Sequence, residues 1–207
     1  MAGDPADRPH LPADPQRTVR HPRSTPRGYP HELERDVVLG DGRTVHVRPV
    51  VPQDLPALRA ALQAAEPSLV HSRFLGAAPP DRLIARRVRA MDYRRDLALV
   101  VLDPAQRLVG EVEYAGSTPG EADLAIALAP DWQGAGLGTS LVRLLALAAR
   151  ERGVRRLTAV FAPGNTAVAR LLDGVGVPVA RGRADGLGVI ELDLLAVPVP
   201  PPPPAQP

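Results

Sequence analysis

The stretch 121–161 restricts the fold more than any other part of the chain. Residues 123–128 (Asp-Leu-Ala-Ile-Ala-Leu) read as a strand, and a turn holding Gly134, Gly136 and Gly138 follows it. Over 137–152, Leu141, Leu144, Leu145 and Ala148 recur at helical spacing and give one apolar stripe. Gly153 stands where a helix ends, and 154–161 reads as a second strand. Two strands joined through a helix pair in parallel. Upstream, Asp41-Gly42, Asp103-Pro104-Ala105-Gln106 and the turn at 116–120 join strands too closely for anything but antiparallel pairing. The chain therefore predicts an α/β (α+β) fold with a mixed, mostly antiparallel sheet and helices on both faces. Helices are expected over 52–65, 68–74, 81–91 and from Asn165 to about 174, with a closing hairpin at 177–181 and 187–194.

Composition sets the limits of this domain. Residues 1–30 are rich in Pro, Arg and Asp without apolar periodicity, and read as a disordered arm. Residues 197–207, with the run Pro200 to Pro204, read as a polyproline tail. The domain itself is placed at 31–196. Aromatic residues make up 3% against 44% hydrophobic, so aliphatic side chains must fill the core.

Several chemistries are excluded by what the chain lacks. It has no cysteine, hence no disulfide, thiolate metal site or cysteine nucleophile. All 25 basic residues are arginine, which removes the Walker phosphate loop and Schiff-base chemistry through a lysine of the chain. The net charge is +2 with acids and bases interspersed, so no nucleic-acid partner is expected. No histidine cluster suggests a metal, no apolar run is long enough for a membrane, and no secretory signal opens the chain. A cytoplasmic location follows as the expectation.

A glycine-rich turn between a strand and a helix presents free amides and the positive end of the helix dipole, a site for a phosphate or pyrophosphate. A dinucleotide site would space its glycines Gly-x-Gly-x-x-Gly and carry an acid on the next strand. Here the spacing is Gly134-x-Gly136-x-Gly138, and 159–162 holds no acid.

The pattern Gln133-x-x-Gly136-x-Gly138 resembles the acyl-CoA signature of the GNAT superfamily of N-acetyltransferases. Val47-Arg48-Pro49-Val50-x-Pro52-x-Asp54 resembles the opening strand and helix of many members, and Asn165 matches an asparagine that contacts the CoA arm. The likeness runs from about 33 to 194. Gly28-Tyr29-Pro30, Ser72-Arg73-Phe74, the segment 91–95 and Ala122-Asp123-Leu124-Ala125 resemble, more narrowly, bacterial protein-lysine acetyltransferases, which include regulators of acetyl-CoA synthetase. The resemblance implies acetyl-CoA as co-substrate, held by Ile126, Ala127, Leu128, Gln133, Gly134, Ala135, Gly136, Leu137, Gly138, Thr139 and Asn165. It implies a protein lysine as acceptor, with acetyl-CoA synthetase a candidate partner. Asp123 stands where that subgroup carries a glutamate base; Glu121 is the second candidate, and Glu111 and Glu113 lie on the neighbouring predicted strand. Leu172 stands where many members carry a tyrosine acid, so no tyrosine acid is expected. A small-molecule amine acceptor, or a catalytically weak acyl-CoA-binding sensor, are the alternatives.

Overall fold

The computed structural model describes residues 25–177 and 179–196. The arm up to residue 24 and the tail from 197 therefore lie outside the described residues. Eight strands form one sheet: β1 (Arg35–Val38), β2 (Thr44–Pro49), β3 (Asp96–Leu102), β4 (Leu108–Thr118), β5 (Glu121–Leu128), β6 (Arg156–Phe161), β7 (Val179–Ala184) and β8 (Leu187–Asp193). Their spatial order is β1-β2-β3-β4-β5-β6-β8-β7, and all neighbours are antiparallel except β5 and β6. The helices are α1 (Leu55–Ala64), α2 (Pro67–Phe74), α3 (Asp81–Arg89), α4 (Leu137–Glu151) and α5 (Thr166–Asp173).

The two faces of the sheet are packed differently. Helix α4 lays Leu141, Leu145 and Ala148 against Leu97, Leu99, Val112, Tyr114 and Leu124, and all are buried. Burying each such leucine stabilises by about 1.5–3 kcal/mol, and truncating Leu141 or Leu145 to alanine costs about 2–5 kcal/mol. The opposite face carries α1, α2 and α3 over a smaller cluster of Val50, Leu55, Ala85, Val88, Ala98 and Val100. Helix α2 has no buried residue at all. The core therefore lies under α4, and the α1–α3 side keeps open space.

Two boundaries differ from the sequence reading. Strand β4 runs on through Thr118, because Gly116 and Thr118 still pair with Ala122 and Glu121; the turn is confined to Pro119-Gly120. Tyr29 and Pro30, grouped with the arm by composition, are buried. The Tyr29 ring meets Tyr93 edge-on at 5.7 Å, so tertiary packing overrides a proline-rich local sequence.

Candidate active site

Strands β5 and β6 begin side by side and then part. Their parallel register holds Glu121–Arg156, Ala122–Leu157 and Asp123–Thr158 and goes no further. Beyond it, β5 continues against β4 to Leu128, and β6 continues against β8 to Phe161. A wedge opens between them, and the glycine turn stands at its wide end.

The turn is anchored at both sides. Gln133 Nε2 donates to the Leu128 carbonyl at 2.9 Å, tying the turn to the end of β5. Trp132 packs against the core, and the Arg43 guanidinium lies over its ring, 4.5 Å from the centroid, while Nη1 donates to the Asp131 carbonyl at 2.8 Å. Gly134 and Gly136 have φ of 81° and 82°, a region costly for other residues. A side chain at either would meet nothing, so their backbone faces open space. Gly136 caps α4 without a side-chain acceptor, leaving the first-turn amides of Leu137, Gly138 and Thr139 as the donors a helix start offers an anion.

Gly138 has a different role. A Cβ there would collide with the Leu171 side chain, so this glycine lets α5 pack on the first turn of α4. Thr139 Oγ1 is turned to the Leu171 carbonyl at 3.4 Å. Ala135 packs partly against the core. Asn165 caps α5, its Oδ1 accepting from Val168 N–H at 3.3 Å; its Nδ2 donates to Ser72 Oγ of α2 at 2.8 Å. That second bond links α2 to the far bank of the wedge.

A cavity of about 590 Å³ lies between α1–α3 and the sheet. Its walls are aliphatic, with Leu62, Leu69, Ile84 and Val100 among them, and it reaches Ala127, Leu128 and Ala129 at the end of β5. Its polar groups are Glu111, Glu113, Arg73 and Arg87, together with Glu66 near the rim. The register places Glu111, Glu113 and Asp123 on one face of the sheet, since Glu113 opposes Ala125 and Asp123 opposes Ala115. Arg73 pairs with Glu111 at 3.0 Å and, more closely, with Glu113; Arg87 Nη1 pairs with Glu113 at 2.7 Å. Burial pushes the Glu113 carboxyl above the usual carboxylate range, against the pull of Arg73 and Arg87. Burial lowers the Arg73 guanidinium, but Glu113 and Glu111 outweigh it and hold it above its ordinary value.

Of the sequence candidates for the base, Asp123 is exposed and lies outside the cavity lining. Glu121 sits at the start of β5, accepts from Thr118 Oγ1 at 2.9 Å and pairs with Arg156 at 3.4 Å, away from the cavity. The Arg73–Glu113 pairing was not anticipated. The available signal was the alternation Glu111-x-Glu113 in an otherwise apolar strand. Arg86, Arg87 and Arg89 are all exposed, but Arg87 Nη1 reaches in to Glu113. Leu172 is buried, and the three tyrosines each donate to a backbone carbonyl: Tyr29 to Pro49, Tyr93 to Val50 and Tyr114 to Arg94. Among the described residues no group of three or more His, Asp or Glu could hold a metal ion, and no helix is long and apolar enough to cross a membrane.

Residues 44–177 match the family model for the acetyltransferase (GNAT) domain. The chain is 32% identical over 160 residues to acetyltransferase PA5475 of Pseudomonas aeruginosa, covering 73% of this chain and 84% of that one. It is 25% identical over 185 residues to acetyltransferase Pat of Mycolicibacterium smegmatis, covering 87% of this chain but 54% of Pat. The crystal structure of the GNAT domain of S. lividans PAT superposes with a TM-score of 0.72 at 27% identity, covering 80% of this chain and 99% of that domain. This chain, with its parted strands and glycine turn, belongs to the GNAT acetyltransferase family. It is an acyltransferase enzyme, an N-acetyltransferase.

Proposed function

We propose that this enzyme moves an acetyl group from acetyl-CoA to the side-chain amine of a protein lysine. The observation that carries this reading is the cavity beside the end of β5: aliphatic walls for a methylene stem and carboxylates for an ammonium head. The likeness to acetyltransferase Pat and to the S. lividans PAT GNAT domain supports the acetyl-transfer part of this reading. In this reading the pyrophosphate lies on the amides of 134–139 and the acyl arm runs into the wedge along 126–128. Asn165 reaches the arm by giving up Ser72.

The chemistry is direct transfer. The lysine amine, with a pKa of about 10.4, is protonated at neutral pH and must lose a proton before it attacks the thioester carbonyl. Amides at the end of β5 would stabilise the oxyanion. Collapse expels the CoA thiolate, which takes its proton from water, since the three phenols are committed to backbone carbonyls. Asp123 is the base on the strength of its position on β5. Glu113 is a second reading, favoured by its place in the cavity and its raised carboxyl. Acetyl-CoA synthetase is the protein acceptor to try first.

Thiol release from acetyl-CoA, measured with lysine peptides, acetyl-CoA synthetase and a panel of small amines, tests the reading. Preference for the lysine substrates supports it. Turnover on small amines alone replaces the acceptor, and tight acetyl-CoA binding without turnover on any amine replaces the enzyme by a sensor. Asp123→Asn and Glu113→Gln assign the base: the variant that loses kcat while keeping acetyl-CoA affinity carries that role.

A further inference from the structure

Among the described residues, the buried Arg48 and the part-buried Arg73 each face carboxylates, and they are bound in different ways. Arg48 uses its fork: Nη1 and Nη2 each meet one oxygen of Asp54, the bidentate arrangement suited to a guanidinium. Arg73 does not. Its single Nη2 donates to Oε1 of both Glu111 and Glu113, while its buried Nε, like that of Arg48, has no hydrogen-bond partner. The carboxylates of Glu111 and Glu113 therefore converge on one point of positive charge. That is the geometry of a compact ammonium, whereas a guanidinium is best met by a two-pronged carboxylate.

The helix that delivers Arg73 is weakly held. All eight residues of α2 escape full burial, and the helix ends on Leu75 in the left-handed region at φ 53°. Its side-chain polar ties to the body are those of two adjacent residues, Ser72 to Asn165 and Arg73 to the two glutamates. An element with little buried surface opens at low free-energy cost. Charge also favours exchange. Glu111, Glu113, Arg73 and Arg87 balance; withdrawing Arg73 leaves the two carboxylates with Arg87 alone, and an arriving cation restores the balance.

We propose that Arg73 is a built-in stand-in for the acceptor: its guanidinium occupies a cation site formed by Glu111 and Glu113, and a primary ammonium on an aliphatic stem takes that site by displacing Arg73 together with α2. The inference rests on the acetyl-transfer reading above and adds a gate to it. The acceptor must compete with an internal cation. Through Ser72, any ligand that takes the Asn165 amide also loosens the gate.

The absence of lysine gives a clean test. With a lysine peptide blocked at its N-terminus as the probe acceptor, Arg73→Ala should lower the acceptor KM roughly fivefold to tenfold at an unchanged acetyl-CoA KM, because the closed state no longer competes. In parallel, Arg73→Lys places a primary amine in the proposed site. Incubated with acetyl-CoA, it should gain one acetyl group at position 73. The amine nitrogen bonds to the acetyl carbon and the carbon–sulfur bond breaks; of the two protons the nitrogen sheds, one passes to a carboxylate of the site and the other, through water, to the thiolate, which leaves as free CoA. Peptide mapping separates this product from the N-terminal amine, and Arg59→Lys, on α1 opposite Asp81, should stay unmodified at its new amine. The second variant decides the matter if the first fails to fold. An unchanged or raised acceptor KM in Arg73→Ala, with no acetyl group at position 73, overturns the gate while an active wild type leaves the acetyl-transfer reading standing. A wild type that releases no CoA with any amine removes both.

Discussion

Arg48 and Asp54 form a two-pronged ion pair sealed from water, with Nη2–Oδ1 at 2.6 Å and Nη1–Oδ2 at 2.8 Å. Asp54 Oδ2 also accepts from Val51 N–H at 2.9 Å, so the pair locks the corner between β2 and α1. Burial opposes the Arg48 charge, and Asp54 outweighs it. Removing one partner strands the other in the core. Arg48→Ala or Asp54→Ala should each cost about 3–5 kcal/mol, read as a lowered urea midpoint. Replacing both with well-packed apolar residues should cost less than either single change.

At Gly136, with φ 82° and no neighbour for a side chain, two effects separate. Gly136→Val should lose about 1–2 kcal/mol of stability to backbone strain. It should raise the acetyl-CoA KM by more than its stability loss explains, because the added atoms fill the space in front of the turn. Gly138→Val should show the opposite emphasis, a stability loss as the Leu171 side chain is displaced, with the space in front of the turn left open. Paired thermal melts and KM values check this.

Trp132 is the single tryptophan of the chain and sits one residue before Gln133 under the Arg43 guanidinium. Its emission should change on titration with acetyl-CoA, giving a direct Kd. Arg43→Ala should alter the starting spectrum and weaken acetyl-CoA binding by removing the bond to the Asp131 carbonyl.

Asp92 accepts the backbone N–H groups of Arg94, Arg95 and Asp96 at 2.9, 2.8 and 3.1 Å. Partial burial works against its charge, but these donors win and hold its carboxyl below the usual range. A lowered folded-state pKa means that its contribution is present above the unfolded value of about 3.9 and is lost as pH falls through the folded value. Asp92→Ala should cost about 1 kcal/mol at neutral pH, a figure discounted for exposure. The difference from wild type should vanish in acid. Denaturation midpoints at neutral and acidic pH decide it.

The sequence made the scaffold legible wherever one residue carries a backbone demand. The glycines at 134 and 136, the turn at Asp41-Gly42 and the cap at Asn165 each act locally, and the helical stripe of α4 repeats often enough to be read. The end of β4 was misplaced because Gly116 suggested a turn, whereas its N–H donates to the Arg95 carbonyl and Asp96 Oδ1 while the residue stays in register opposite Ala122. The interior of the site was harder to read. Arg73 and Glu113 stand 40 residues apart, and no spacing rule connects them. Helix α2 buries no stripe, so its pattern does not show which way Arg73 turns. Asn165 and Ser72, 93 residues apart, are hidden for the same reason.

The parting of β5 from β6 after Asp123 and Thr158 has one more consequence. Each strand keeps its ladder on the outer side, while the inner edges along 124–128 and 159–161 face a gap in the middle of the sheet. A chain carrying amide groups, laid in that gap, would serve as a ninth strand of foreign origin. On the proposed reading, cofactor binding in that gap would add hydrogen bonds to both banks of the sheet. Its footprint should be slowed amide exchange along both banks of the gap, reaching well beyond the atoms that react.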